Sequence, residues 1–176
     1  MDESVVILTS DHGESLTEHN IFFDHHGLYD VTIRVPLIIW CPSMFSSYVR
    51  VSSLVQHVDL VPTLLDILNI DEKYDFNGKS LVPLIKGERD CIHSFVYVEE
   101  AHTQRKRAIR MENFKYIYAL SNEGAVCRYC GFIHRGTEEL YYLRKDPQEL
   151  LNVVEVYLRV TQELEETLEG WISLLM

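Results

Sequence analysis

No run of about eighteen apolar residues occurs in this sequence, which excludes a membrane-spanning helix. Met1-Asp2-Glu3 is acidic rather than basic, so no signal peptide is expected and the chain reads as cytoplasmic. Basic residues are scarce, with 16 Lys and Arg against 27 Asp and Glu and a net charge of -11. That balance excludes the basic face a nucleic-acid binder needs. Cysteines number only four, at Cys41, Cys91, Cys127 and Cys130, too few and too unevenly spaced for a disulfide scaffold, so they are expected to be reduced. Internal repeats and low-complexity linkers are absent as well. What remains is 176 residues, 47% of them hydrophobic, enough for one ordinary folded body and too few for two large ones.

The chemistry concentrates early. Between Ile7 and Asp30 stand four histidines, His12, His19, His25 and His26, among four acidic residues. Ser4 to Thr9 is a short apolar, β-branched run ended by Ser10-Asp11-His12-Gly13, and "VPLIIW" (35–40) is a second such run closed by Cys41-Pro42-Ser43. Both suit buried strands of parallel type with the histidine segment in the crossover between them. Such sheets carry their chemistry at the carboxyl ends of the strands. "VDLVPTLLDILNI" (58–70) has a helical period, with Asp59 as N-cap and Pro62 in the first turn. "SFVYVEE", "RAIRME", "FKYIYAL" and "ELYYL" read as a small antiparallel sheet, and residues 155–176 as an amphipathic terminal helix. The fold class is therefore α/β, a partial sheet with flanking helices over 1–90, followed over 91–176 by the antiparallel sheet and its helix.

A carboxylate beside an imidazole, as in Asp11-His12, is half of a metal site. The alternative is that Asp11 caps a following helix while His12 faces solvent. Cys127-x2-Cys130 followed by His134 also leaves two readings open. It is either a reduced turn with buried thiols or a zinc site drawing its fourth ligand from Cys91, His93 or His102. Arg105-Lys106-Arg107, with Arg110, reads as a solvated hairpin turn or as positive charge at a substrate mouth. Glu99, Glu100 and His102 could face that mouth or water, and Tyr29 and Asp30 read as packing residues, with Asp30 orienting a histidine.

"TSDHGESLTEH", "DHHGLYD" and "IRVPLII", with the "HVDLVPTLLDILNI" helix, the "NGKSLVPLIKG" loop and the "ELYYLRKDPQELLNV" ending, together resemble the sulfatase family of the alkaline-phosphatase superfamily. The motifs run in order over nearly the whole chain. The resemblance implies an alkaline-phosphatase-like core and hydrolysis of sulfate esters. It assigns Asp11 and His12 to a divalent cation, calcium or magnesium first and manganese or zinc second. It assigns His25, or His26 after a one-residue slip, to the sulfate and the leaving oxygen; on the charge reading above, Arg105 and Arg107 would sit at the substrate mouth.

The family's Cys/Ser-x-Pro-x-Arg motif, whose first residue becomes formylglycine, is not in this sequence; Cys41-Pro42-Ser43 is a strand terminator. The resemblance thus covers the C-terminal portion only, and formylglycine is expected in an N-terminal half. That half is the implied partner, beside a sulfate ester or sulfated sugar, and the faces its absence exposes should favour self-association. The alternatives are a phosphodiesterase or phosphonate hydrolase of the same superfamily, or a non-catalytic binding or oligomerising remnant.

Overall fold

The computed structural model describes residues 4–45, 48–71 and 74–175. In chain order its strands are β1 (Val6–Thr9), β2 (Leu37–Trp40), β3 (Val96–Glu100), β4 (Lys106–Arg110), β5 (Phe114–Ala119) and β6 (Glu138–Tyr142). Its helices are α1 (Asp30–Ile33), α2 (Leu60–Ile67), α3 (Val82–Ile85), α4 (Asn122–Ala125) and α5 (Leu158–Leu175). No helix among the described residues is long and apolar enough to cross a membrane. Two compact units emerge, one of Met1–Thr9 with Pro36–Val96, the other of Ser10–Val35 with Tyr97–Met176. A division at residue 90 would leave the histidine segment with the first body, but the structure packs it with the second.

In the first unit β1 and β2 pair antiparallel, Val6 opposite Trp40 and Leu8 opposite Ile38. This corrects the expectation of parallel strands joined by a crossover. The intervening segment joins the second unit and returns, so the two strands meet with opposed directions. Nor are they buried on both faces: Val6, Leu8, Ile38 and Trp40 share an exposed apolar face, while Ile39 packs over Cys41, Ile67 and Val82. Asp59 does not cap α2 with its side chain. Fully buried, its carboxylate instead accepts from the backbone N–H of Gln56 and Lys79, at 2.7 and 2.8 Å, and lies 2.9 Å from His93 Nε2. A short 3-10 turn, His57–Asp59, therefore precedes the helix, and the loop at Gly78 docks so closely that a Cβ there would collide with the Val58 carbonyl.

The second unit is built on a four-stranded sheet in the order β3-β4-β5-β6, with β4–β5 and β5–β6 antiparallel. The strand period of two splits it cleanly. One face presents Arg107, Tyr116 and Tyr118 beneath α5, whose Leu164 and Leu168 are buried. Trp171 of that helix stacks on Tyr97 at 4.3 Å between ring centroids. The helix begins at Leu158, so Val156 and Leu158 stay exposed rather than joining its apolar stripe. The other face presents Lys106, Ala108, Arg110, Lys115, Ile117, Glu139 and Tyr141. Ile21, Leu28 and Tyr29 of the histidine segment close over it to form the core.

That second face carries buried charge, all of it paired. Lys115 Nζ lies 2.6 Å from Asp30 and 2.5 Å from Glu149, and Arg110 adds a second cation to Asp30 at 3.0 Å. Lys106 pairs with Glu139 at 2.8 Å, and the same carboxylate accepts from the hydroxyls of Tyr29 and Tyr141. Asp30 thus anchors the segment to the sheet and does not orient a histidine.

Burial alone would push the Asp30 carboxyl up, but hydrogen bonding from Arg110 and the charge of Lys115 outweigh it and hold the group at about 2. Because the folded-state value lies below the unfolded one, this stabilisation is present above about pH 4 and lost as pH falls towards 2. Asp30→Asn is expected to remove about 2 kcal/mol at pH 7 and to flatten the acid limb between pH 4 and 2. Urea unfolding of both proteins across that range checks it; an unchanged acid limb would contradict the assignment.

Candidate active site

The loop after β1 places Asp11 and His12 on the surface, with side-chain exposures of 87% and 42%. Asp11 caps no helix. It folds back on its neighbour, Oδ1 accepting from the His12 N–H at 3.0 Å and Oδ2 lying 3.6 Å from His12 Nε2. The His12 amide and charge hold the Asp11 carboxyl below its usual range, so it is an anion at neutral pH. Gly13 fixes the loop by donating to the Thr32 carbonyl at 2.7 Å, and a Cβ there would collide with the Val31 carbonyl.

His25 meets this loop from the other side. Its ring stacks on His12 at 4.2 Å between centroids, and His12, Glu14 and His25 offer donor atoms that all lie within 4.8 Å of one another. Glu14 is a member that sequence reasoning missed, although its position three residues beyond Asp11 in an acidic, histidine-rich stretch was the available signal. Asp24 is another: Oδ1 stands 3.5 Å from His25 Nδ1 and Oδ2 3.5 Å from His26 Nδ1.

The two adjacent histidines part company at that carboxylate. His25 is 59% exposed and turns outward, whereas His26 is 8% exposed and turns inward to Cys127 and His134. Burial separates the two rings, so His25 is the one that a ligand arriving from solvent meets. Gly27 makes the divergence possible, with φ of +87° and an N–H donated to Glu100 at 2.9 Å. Glu100 is thereby a holder of this loop, while Glu99, on the opposite face of β3, pairs with Arg107 at 3.3 Å.

The basic cluster is divided between the two faces of β4. Lys106 is buried against Glu139, which removes the solvated-turn reading. Arg107 points to the α5 face, opposite to Lys106, beside Glu165 and Glu169, and Arg105 is exposed. His102 hydrogen-bonds the Tyr129 hydroxyl at 3.2 Å. His19, with positive φ, stacks on Tyr29 at 3.7 Å, and burial pushes its imidazole down to about 4, so it is neutral at physiological pH.

An exposed patch of carboxylate and imidazole donors on a clamped loop suits a divalent cation and an anionic substrate. The family described as N-sulphoglucosamine sulphohydrolase, C-terminal, matches residues 17–173. The chain belongs to this sulfatase family. It is 32% identical over 183 residues to arylsulfatase K of Bos taurus, an alignment covering 98% of this chain and 32% of that protein. It therefore spans about a third of the length of the curated relatives it matches. A structure solved with its substrate D-glucosamine-2-N,6-O-disulfate superposes with TM-score 0.78 at 26% identity, covering 94% of this chain and 33% of that one. Phosphonate monoester hydrolase of Agrobacterium radiobacter superposes with TM-score 0.77 at 25% identity, covering 99% and 36%. The fold is thus the C-terminal part of an alkaline-phosphatase-like sulfatase.

Gly13→Ala is expected to cost about 2 kcal/mol or more and to disorder the Asp11-His12 loop, because backbone rather than a yielding side chain stands in the way. Denaturant unfolding together with the NMR shifts of the His12 and His25 rings would check this. Wild-type stability with unmoved rings would contradict the packing.

Proposed function

We propose that the chain is the C-terminal portion of a sulfatase-type hydrolase acting on sulfated sugars, to which Asp11, His12 and His25 contribute half of the catalytic site. The observation that carries the reading is the convergence of Asp11, His12, Glu14 and His25 on one exposed patch of a loop held rigidly from behind. The family's divalent cation fits this donor set. A carboxylate oxygen and an imidazole nitrogen 3.6 Å apart can occupy neighbouring positions around one cation, which at such bond lengths lie about 3.0–3.6 Å apart. Asp11 and His12 would hold it, and calcium is the ion proposed, since the anionic oxygen leads the set and the histidine comes second. Such an ion neutralises charge on the oxygens of the transferred group.

The chain's own residues do the rest. His25, with Nδ1 turned to Asp24, is oriented to present Nε2 to the sulfate ester. From there it hydrogen-bonds a sulfate oxygen and delivers a proton to the departing sugar oxygen as the S–O bond breaks. Neutralising the leaving alkoxide in this way is worth typically 10²–10⁴-fold in rate. The nucleophile, a formylglycine hydrate, would come from an N-terminal portion. The exposed apolar face of Val6, Leu8, Ile38 and Trp40 supports such a portion, because an apolar strand face ordinarily packs against something.

Likeness to a phosphonate monoester hydrolase favours a second reading of the same site, phosphonate or phosphate ester cleavage. In the complete protein, identified by peptide mapping of what an antibody to residues 155–176 captures from its cell, His25→Ala should lower kcat/KM by about 10²–10⁴-fold with folding intact. Asp11→Ala and His12→Ala should additionally strip the divalent ion, and elemental analysis should find calcium. The isolated chain should not hydrolyse an aryl sulfate. Variants that retain wild-type turnover would sink the reading, and a higher kcat/KM for phosphonate than for sulfate esters would install the second.

A further inference from the structure

A second cluster lies inside the same unit, away from the exposed patch. Cys127 follows α4, and Cys127-Arg128-Tyr129-Cys130-Gly131 makes a tight turn in which the Gly131 N–H donates to the Cys127 carbonyl at 2.9 Å and Gly131 takes a φ of +75°. His134 returns from the far side of the turn, its Nε2 3.2 Å from Cys130 Sγ. The fourth group comes from more than a hundred residues away: His26 Nε2 lies 3.9 Å from Cys127 Sγ. Donor atoms of His26, Cys127 and His134 all lie within 4.8 Å of one another, and all three residues are buried.

We infer that Cys127, Cys130, His134 and His26 form a structural zinc site that ties the histidine segment to the β5–β6 connection. Zinc bonded to sulfur at about 2.3 Å and to nitrogen at about 2.0–2.1 Å in a tetrahedron sets its donors roughly 3.3–3.8 Å apart; the 3.2 and 3.9 Å sulfur–nitrogen contacts match that spacing, the His26, Cys127 and His134 donors close from within 4.8 Å, and the exposed Cys130 turn moves in to complete the set. Two thiolates and two neutral imidazoles balance the ion's charge, which lets it sit in a buried place. Four protein ligands leave no open position, which makes the site structural rather than catalytic.

The surrounding groups fit the same purpose. Zinc-bound imidazoles commonly direct their other nitrogen to a carboxylate or a carbonyl. His26 Nδ1 lies 3.5 Å from Asp24 Oδ2, and His134 hydrogen-bonds the His19 backbone carbonyl. Without an ion, His26 Nε2 has only a thiol contact at 3.9 Å, the weakest of bonds for a buried imidazole. Exposed Cys130 supplies a route for the ion to enter. His102, one of the ligands the sequence suggested, bonds Tyr129 instead, and His93 is engaged by Asp59. The sequence could not nominate His26, whose partnership spans 101 positions.

The inference does not depend on sulfate chemistry, so its test uses metal alone. The purified full chain, kept reduced, is stripped with chelator and titrated with zinc, then separately with cobalt(II) as a coloured probe. One zinc per chain is expected, with a rise of about 5–10 °C in Tm at a hundredfold excess over Kd. The cobalt form should show the intense visible bands of a tetrahedral centre and a thiolate-to-metal band in the near ultraviolet. Cys130→Ser, at an exposed position, should keep the fold, roughly halve the thiolate band and weaken zinc at least about 100-fold. Asp24→Ala should weaken zinc by about 10–100-fold. Failure of the reduced chain to take up stoichiometric zinc would overturn the proposal. So would a Cys127–Cys130 disulfide as the stable form, or zinc that is lost with His12→Ala but retained by Cys130→Ser.

Discussion

Everything functional in the second unit rests on burying six charges in one layer. Lys106, Arg110 and Lys115 on the sheet meet Glu139, Asp30 and Glu149, and the pairing brings together positions as far apart as 30 and 149. A single vacancy in such a set leaves an uncompensated charge in a poorly solvated place, at a cost of about 2 kcal/mol or more. That cost acts against alternative dockings as strongly as the pairs favour the native one. The segment carrying His12, His25 and His26 therefore has one place to lie. Leu28, Tyr29 and Ile21 supply the apolar area beneath it, and the Leu28 carbonyl accepts from Lys115 as well, at 3.1 Å.

On that frame, the direction of each side chain decides its chemistry. Asp24, His25 and His26 are consecutive, yet the carboxylate divides two imidazoles between water and core. The outward one joins His12 and Glu14, where a substrate anion can reach it. The inward one meets thiols, where only a small soft ion could. A residue-by-residue shift in register would trade these environments, which is why Gly27 and its contact with Glu100 matter more than their distance from any reaction suggests. The same alternation removes Arg107 from the histidine face, since its neighbour Lys106 occupies that side of β4.

Local patterns were legible in the sequence. The four β-rich runs became β3 to β6, the periodic stretches became α2 and α5, and the family motifs pointed to the sulfatase C-terminal part. What could not be read depends on pairs far apart in sequence. A run such as "VPLIIW" looks equally apolar in either strand direction, so the antiparallel pairing of β1 with β2 was hidden. Asp59 has the composition and place of an N-cap, but a loop twenty residues on offers its N–H to the carboxylate instead. Lys106 reads as surface charge until Glu139, 33 positions later, is brought under it.

These long-range contacts also explain why the motifs are where they are. In "HHGLYD" the glycine sets a backbone turn, the leucine and tyrosine fill the core and the aspartate closes the ion network, leaving the first histidine facing solvent and the second facing Cys127 and His134. In "ELYYL" the glutamate at 139 and the tyrosine at 141 complete the buried layer beneath that same turn. The two motifs, more than a hundred residues apart, are the two halves of one packing unit whose product is the orientation of His25. Most of the resemblance to a sulfatase is therefore a resemblance in the scaffold, which leaves only a few donors at the surface.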